Sequence, residues 1–399
     1  MTVAQPDVSV VIGAYEAMPY LVACLESVAS QTLDPARIEV IAVDDGSTDG
    51  TGEYLEEFAA RAPMPVTVIR QDNSGGPSGP RNVGLGKAAG RYVFFLDADD
   101  RLGTEALERM VAAADRNGTD VVVGRVEGVN RKPPQSMWGR SIERTDVYSS
   151  NIKFTLSAQK LFRRELLTRH GMRFDESLWT GEDALFTMEA YLRADGVTLI
   201  ADYTCYYLVG REDGKHVTRS GGYALRFDSA RALMRLIAEM VPPGPRRDVL
   251  MVRPFVVTLL PQFGPKLLKD GEKVRRHKYE LAAPLLAEHW NEGVAQRLRV
   301  EERLRMHLLA GRQYERLLEV AGFVKAKKEP AALLEKKGRR VYLEYPYFRD
   351  ADAGIPDSVY LAEPREARGV PGFREGGTDY FMRRVLRKVR RMRRVPATR

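Results

Sequence analysis

Cysteine is nearly absent from this 399-residue chain: there are two, Cys24 and Cys205, each inside an apolar segment (LVACLESV and YTCYYLV). That excludes a disulfide framework and a CxxC site, and leaves two buried small hydrophobes in a reducing compartment. Long hydrophobic runs are also missing. No stretch approaches the ~18 apolar residues that a membrane-spanning helix requires. The N-terminus, MTVAQPDVSVVIGAY, has neither the basic start nor the apolar core of a secretory signal. The expectation is a cytoplasmic protein without a membrane span. Nor is there a basic surface spread along the chain. The formal charge is +8, yet residues 383–399 hold nine Lys or Arg and no acid, which leaves −1 for residues 1–382. The basicity belongs to the tail, and nothing in the remainder points to nucleic acid.

What is present is a 44% hydrophobic content, enough for two or three domains with their own cores. From residue 7 to about 124, β-branched runs (DVSVVIGAY, IEVIAVDDGS, VTVIRQ, RYVFFLDADD, DVVVGR) alternate with helix-like stretches such as PYLVACLESVASQ and TEALERMVAAADRNG. This pattern predicts an α/β fold: a Rossmann-like, mostly parallel sheet with helices on both faces. Ligands of such sheets bind beyond the carboxyl ends of the strands. There the polar clusters fall: GAYEA, DDGSTD, QDNSGGPSGPRN and DADD follow four successive strands and converge on one rim. Residues 125–150, polar and rich in Pro and Gly, read as an extended loop over that rim. SAQKLFRREL reads as a strand. In GEDALFTMEAYLRAD, Ala184, Leu185, Met188 and Leu192 keep helical spacing. The boundaries expected are a catalytic-type domain over 1–220, a helical linker or accessory region over 221–335, a small strand-containing segment over 336–380 and a basic amphipathic tail over 381–399.

The chemistry sits in the rim loops. Asp97 and Asp99 of DADD leave the sheet two residues apart, a placement suited to a hard divalent cation, Mn²⁺ or Mg²⁺, that would neutralise a diphosphate leaving group. Chance DxD turns are common, and the setting among three other polar loops is what favours metal. Asp44 and Asp45 end the second strand, where a carboxylate can accept from a base N–H or ribose hydroxyls; Thr48 and Asp49 serve equally as helix caps. Ala14 and Tyr15 leave the first strand, the tyrosine offering a flat face to a base or merely lying on the surface. Gly76 permits close backbone approach and Arg81 suits a phosphate or a base carbonyl. The stretch lacks the Walker lysine and the spaced glycines of a dinucleotide fingerprint. Glu182 and Asp183 open a helix, whose dipole favours the ionised form; one of them can serve as the base for an acceptor hydroxyl. Of five histidines, His216 alone follows a strand that returns toward the rim, either as a metal or diphosphate contact or as a solvated loop residue.

VSVVIGAYEAMPYL, VDDGSTDG, GGPSGPRNVGL, FFLDADD and GEDALF resemble, in content and order over about residues 7–220, the family-2 glycosyltransferases of GT-A fold. Within that family GGPSGPRN, KLFRREL, the GED helix and GKHVTRS look most like the wall teichoic acid sugar transferases. The first loop departs from the family pattern, which commonly has a proline before the aromatic position and an asparagine after it. The resemblance implies Tyr15 against uracil, Asp44 and Asp45 on base and ribose, and Arg81 near base and diphosphate. It puts Asp97 on the ribose side, Asp99 on the metal, His216 on the metal or diphosphate, and Asp183 as catalytic base supported by Glu182. It further implies a mainly helical C-terminal region and homo-oligomers.

The expected function is therefore inverting transfer of GlcNAc, or else Glc or Gal, from a UDP-sugar to an anionic or lipid-linked surface polymer. A polyol-phosphate teichoic acid leads, with a capsular or other polysaccharide behind it. The tail places Met382, Val385, Leu386, Val389 and Met392 on one stripe among basic residues, as in a helix lying on an anionic inner leaflet or polymer. Two rivals remain. A sugar nucleotidyltransferase would require a Gly-rich basic activation segment in the first loop, which is absent. A non-catalytic nucleotide-sugar or polyanion-binding protein would not need the acids at 44, 45, 97, 99 and 183.

Overall fold

Three apolar runs, VSVVIGA, IEVIAVD and YVFFLD, form the centre of a sheet whose two faces are both covered, which is why they do not alternate with polar residues. They are strands β1 (Val8–Ala14), β2 (Ile38–Asp44) and β4 (Tyr92–Asp97); β3 (Val66–Arg70) lies outside β2. On one face Val8, Val10 and Ile12 pack into a cluster with Leu21 and Leu25 of helix α1 (Tyr20–Ala29), Leu55 and Phe58 of α2 (Thr51–Arg61), and Leu107 and Met110 of α4 (Ala106–Asn117). On the other, Val11 meets α3 (Ser78–Lys87) at Gly84. A Cβ added there would lie 2.4 Å from the valine, so only glycine admits this helix–strand approach.

The computed structural model describes residues 5–133, 139–211, 222–335, 340–363 and 365–366. The large sheet runs in the order β3-β2-β1-β4-β8-β6-β9-β5, with β7 on β9. β3, β2, β1 and β4 are mutually parallel. β8 (Leu161–Arg163) is inserted antiparallel between β4 and β6 (Val121–Val129), while β6 runs parallel to β9 (Val197–Val209). The short β5 (Arg101–Leu102) and β7 (Ile142–Thr145) pair antiparallel with β9. The sheet is thus mixed and mostly parallel, as expected of GT-A.

Residues 125–150 differ from the expected extended loop. β6 continues to Val129, and β7 occupies Ile142–Thr145, both paired along β9. These stretches are half-buried and polar, so their composition resembles a loop while the neighbouring strand decides their conformation. After β8 the chain forms a short helix α5 (Arg164–Arg169), and α6 spans Glu182–Arg193.

The chain divides into two compact units, Met1–Pro254 and Phe255–Arg399. Helices Tyr223–Met240 and Pro245–Arg253 belong to the first. In the second unit, helices Glu272–His289, Val300–Ala310 and Tyr314–Lys325 accompany a small sheet of β10 (Ala331–Glu335), β11 (Arg340–Glu344) and β12 (Leu361–Ala362). Buried Arg303 donates from Nε to the Val359 carbonyl at 2.9 Å, in the turn before β12, and from Nη2 to the Leu361 carbonyl of β12, tying helix to sheet. Both cysteines are buried and free. No helix among the described residues is long and apolar enough to cross a membrane.

Candidate active site

Strand register assembles the site. β1–β2 pairing sets Ala14 beside Asp44, β2–β3 pairing sets Asp44 beside Arg70, and β1–β4 pairing sets Gly13 beside Asp97. The polar loops after all four strands therefore start at one edge. Side chains then stitch the loops together. Asp45 accepts from Gln71 Nε2 at 2.6 Å and from Ser74 Oγ at 2.9 Å. Glu16 Oε1 accepts from Thr48 N–H at 2.8 Å, and Asp49 accepts from the N–H groups of Met18 at 2.9 Å and Thr51 at 3.1 Å. Asp49 thus caps the start of α2 while holding the first loop. Asp44, buried like Asp45, accepts from Ser47 N–H at 3.1 Å and lies 3.4 Å from Arg70 Nε. Tyr15 stands out from this edge, 53% exposed. Beside it Ala14 is buried, and open space surrounds Gly76 on its side-chain face.

Arg81, in the first turn of α3, occupies the centre. Its Nη2 donates to Asp97 Oδ1 at 2.7 Å, and its Nη1 donates to Asp183 Oδ1 at 2.6 Å and Glu182 Oε1 at 3.3 Å. Burial alone would weaken its charge; Asp183, Asp97 and Glu182 more than reverse that and hold its pKa above the usual arginine value. One guanidinium thus joins the end of β4 to the start of α6.

That helix start is positioned by an aromatic cluster. Phe186 of α6 stacks on Phe174 at 4.1 Å and meets Phe95 of β4 at 5.6 Å and Phe162 of β8 at 5.5 Å, edge to face. Gly181, the residue before the helix, has φ +91°. The helix dipole should favour ionised Glu182 and Asp183, but removal from water wins: the Glu182 pKa is pushed up to about 8, with the Asp183 charge adding to the rise. Asp183 is raised as well, first by burial, against the pull of Arg81. A side-chain hydrogen bond joins the two acids.

Asp99 is pushed up to about 6 by burial and by the neighbouring Asp97. Among the described residues no three metal-ligating side chains converge. His216 lies outside the described residues.

Three residues beyond the sequence-based expectations shape the site. Gln159 Nε2 donates to Asp97 Oδ2, opposite Arg81, so both oxygens of that carboxylate are gripped. It arrives there because β8 is antiparallel to β4: Phe94 pairs with Leu161, and the residues just before Leu161 reach the end of β4. Buried Lys160 follows it, close enough for its charge to act on Asp183. Asp100, the last acid of DADD, accepts from Tyr206 Oη at 2.6 Å and Val209 N–H at 2.7 Å, anchoring the turn to β9. A strand-order prediction that placed β8 next to β4 would have revealed the first two; no local signal in SAQK does so.

Comparison with known proteins bears on the same architecture. Residues 9–171 match the glycosyl transferase family 2 model, and residues 224–321 match the glycosyl transferase TarS linker domain. A poly(ribitol-phosphate) β-glucosyltransferase of Bacillus spizizenii is 39% identical over 53% of this chain and 33% of its own length. The poly(ribitol-phosphate) β-N-acetylglucosaminyltransferase TarS of Staphylococcus aureus is 38% identical over 58% of this chain and 39% of its own length. The chain thus spans a third to two fifths of the length of these curated relatives. A crystal structure of S. aureus TarS 1–349 in complex with UDP-GlcNAc superposes with a TM-score of 0.76 at 26% identity, covering 90% of this chain and 99% of that one. Over residues 9–171 the chain is thus similar to glycosyl transferase family 2, and over residues 224–321 to the TarS linker domain.

Proposed function

We propose that this protein is an inverting glycosyltransferase that moves GlcNAc, in preference to Glc or Gal, from a UDP-sugar to a hydroxyl of a polyol-phosphate teichoic acid. The Arg81 bridge carries the reading. It joins Asp97, at the strand end where a nucleotide binds in such sheets, to the acids at the start of α6. The relatives' action on poly(ribitol phosphate) and the UDP-GlcNAc held by the similar structure support the substrate classes.

In this reading Ala14 and exposed Tyr15 meet the uracil, Asp44 and Asp45 shape the base and ribose end, and the backbone at Gly76 approaches the nucleotide. Asp97 takes the ribose side and Arg81 the diphosphate. Asp99 offers one carboxylate, a donor set that Mn²⁺ or Mg²⁺ commonly completes with phosphate oxygens and water, and its pKa, raised by burial and by the Asp97 charge, marks electrostatics that a cation relieves. His216 is the proposed further contact. When bound, the metal supplies Lewis-acid stabilisation of the departing UDP.

Asp183 takes the proton of the acceptor hydroxyl; that oxygen attacks the anomeric carbon from the face opposite the diphosphate, and the bond to the phosphate oxygen breaks. Its raised pKa makes Asp183 the stronger base. Glu182, pushed up to about 8 and so protonated at neutral pH, donates a hydrogen bond that steadies the ionised form of its neighbour.

The test is transfer from UDP-GlcNAc, UDP-Glc and UDP-Gal to poly(ribitol phosphate), with Mn²⁺ and with chelator. Asp183→Asn should lose roughly 10²- to 10⁴-fold in rate while still being thermally stabilised by donor. Near-normal transfer by a folded Asp183→Asn variant would remove Asp183 as the base, and undiminished transfer in chelator would remove the metal.

A further inference from the structure

Among the described residues of the first unit, two large apolar side chains remain more than a third exposed: Tyr15 at 53% and Trp179 at 44%. Tyr15 already has a place in the donor site. Trp179 has none, yet it stands three residues ahead of Glu182 and four ahead of Asp183, in the segment that leads from Phe174 to α6.

That segment is tied down at both ends. Asn82 accepts from Phe174 N–H at 2.8 Å and donates from Nδ2 to Phe174 O at 2.9 Å and Glu176 Oε1 at 2.8 Å. Ser78 Oγ donates to Asp175 O at 3.1 Å, and Asp175 Oδ1 accepts from Ser177 Oγ at 2.6 Å. Beyond the tryptophan, Ser229 Oγ donates to Thr180 O, and a Cβ on Gly181 would fall 2.7 Å from Ser229 Cβ. Among the described residues no ring stacks on the indole and no cation lies over it. The bonds on either side fix the backbone that presents this partly exposed indole at the surface.

We infer that Trp179 is the carbohydrate platform of the site, its ring face receiving the C–H face of the donor's pyranose beside the acids of α6. The electron-rich indole face suits the polarised C–H bonds of a sugar ring as it suits the edge of an aromatic ring. The occupant is the donor sugar: a polyol-phosphate chain is acyclic and presents no ring face, whereas the hexose does. The inference rests on the donor reading above.

The experiment is calorimetric titration of the full chain with UDP and with UDP-GlcNAc, in Mn²⁺, for wild type, Trp179→Phe and Trp179→Ala. The residue is 44% exposed and over half covered, so both variants should keep the fold at a modest cost in melting temperature, which is measured alongside. Trp179→Ala should bind UDP-GlcNAc roughly five- to tenfold more weakly, the size of one aromatic face contact, and UDP within about twofold of wild type. Trp179→Phe should recover most of the loss. Unchanged UDP-GlcNAc affinity in Trp179→Ala would overturn the platform and leave the donor reading standing. An equal loss for UDP and UDP-GlcNAc would move the residue to the nucleotide and overturn it too. Failure of wild type to bind either nucleotide would remove the donor reading, and the platform with it.

Discussion

Lys160 concentrates the tension of the site in one side chain. It is buried, donates to the Ser157 carbonyl, and lies 3.4 Å from Ser157 Oγ. Burial pushes its pKa down to about 7; Asp183 pulls it back and Arg253 pushes it further down. Unfolded, the same amine holds its proton to about pH 10.4. Between these values the unfolded chain binds more protons than the folded one, so this residue's penalty on stability is full below about pH 7 and fades as pH rises toward 10. Lys160→Met is therefore expected to raise the melting temperature near neutral pH, by a margin that shrinks on going alkaline. The same substitution removes a charge that lowers the Asp183 pKa, so the acid limb of the transfer rate should move to higher pH. Melting curves and rate profiles across pH 5–10 check both; a stability gain independent of pH would assign the penalty to something other than this amine.

At the scale of elements, the start of α6 depends on a backbone that only glycine adopts readily. Gly181 sits at φ +91° against Ser229. Gly181→Ala adds about 1–2 kcal/mol of left-handed strain, plus a contact that must give, and should displace the two acids. Denaturant titration is expected to show the loss and steady-state kinetics a lower kcat; an alanine variant equal to wild type in both would mean that the turn has slack. Much of this architecture was legible in the residues. The strand runs were long and apolar because both faces of the sheet are covered, and the polar clusters at their ends gave away the rim. The GED helix was legible from its spacing. What could not be read was anything set by order across the sheet. β8 enters antiparallel beside β4, and that alone brings Gln159 to Asp97. The β6 and β7 pairings turn an apparent loop into sheet. The helix dipole was read with the right sign, but its strength against burial at Glu182 depends on how α6 is packed, which the distant Phe95 and Phe162 help to set through Phe186.

Over the whole molecule the charge is lopsided: +8 in total, with nine cations and no acid in residues 383–399. That tail lies outside the described residues, and its expected work is electrostatic. The full chain should co-sediment with vesicles holding roughly a third anionic lipid at low salt and release as ionic strength rises, whereas a chain ending at residue 380 should stay in solution. Equal sedimentation of the two would move the contact elsewhere. In the proposed mechanism the Arg81 bridge also makes donor loading and proton transfer one linked event. A diphosphate that draws on the guanidinium takes positive charge away from Asp183, whose affinity for a proton then rises. By linkage, a protonated Asp183 must in turn favour the loaded donor. The base is then at its weakest in the empty enzyme and gains strength only once there is a sugar to transfer, so the order of events is written into a single side chain.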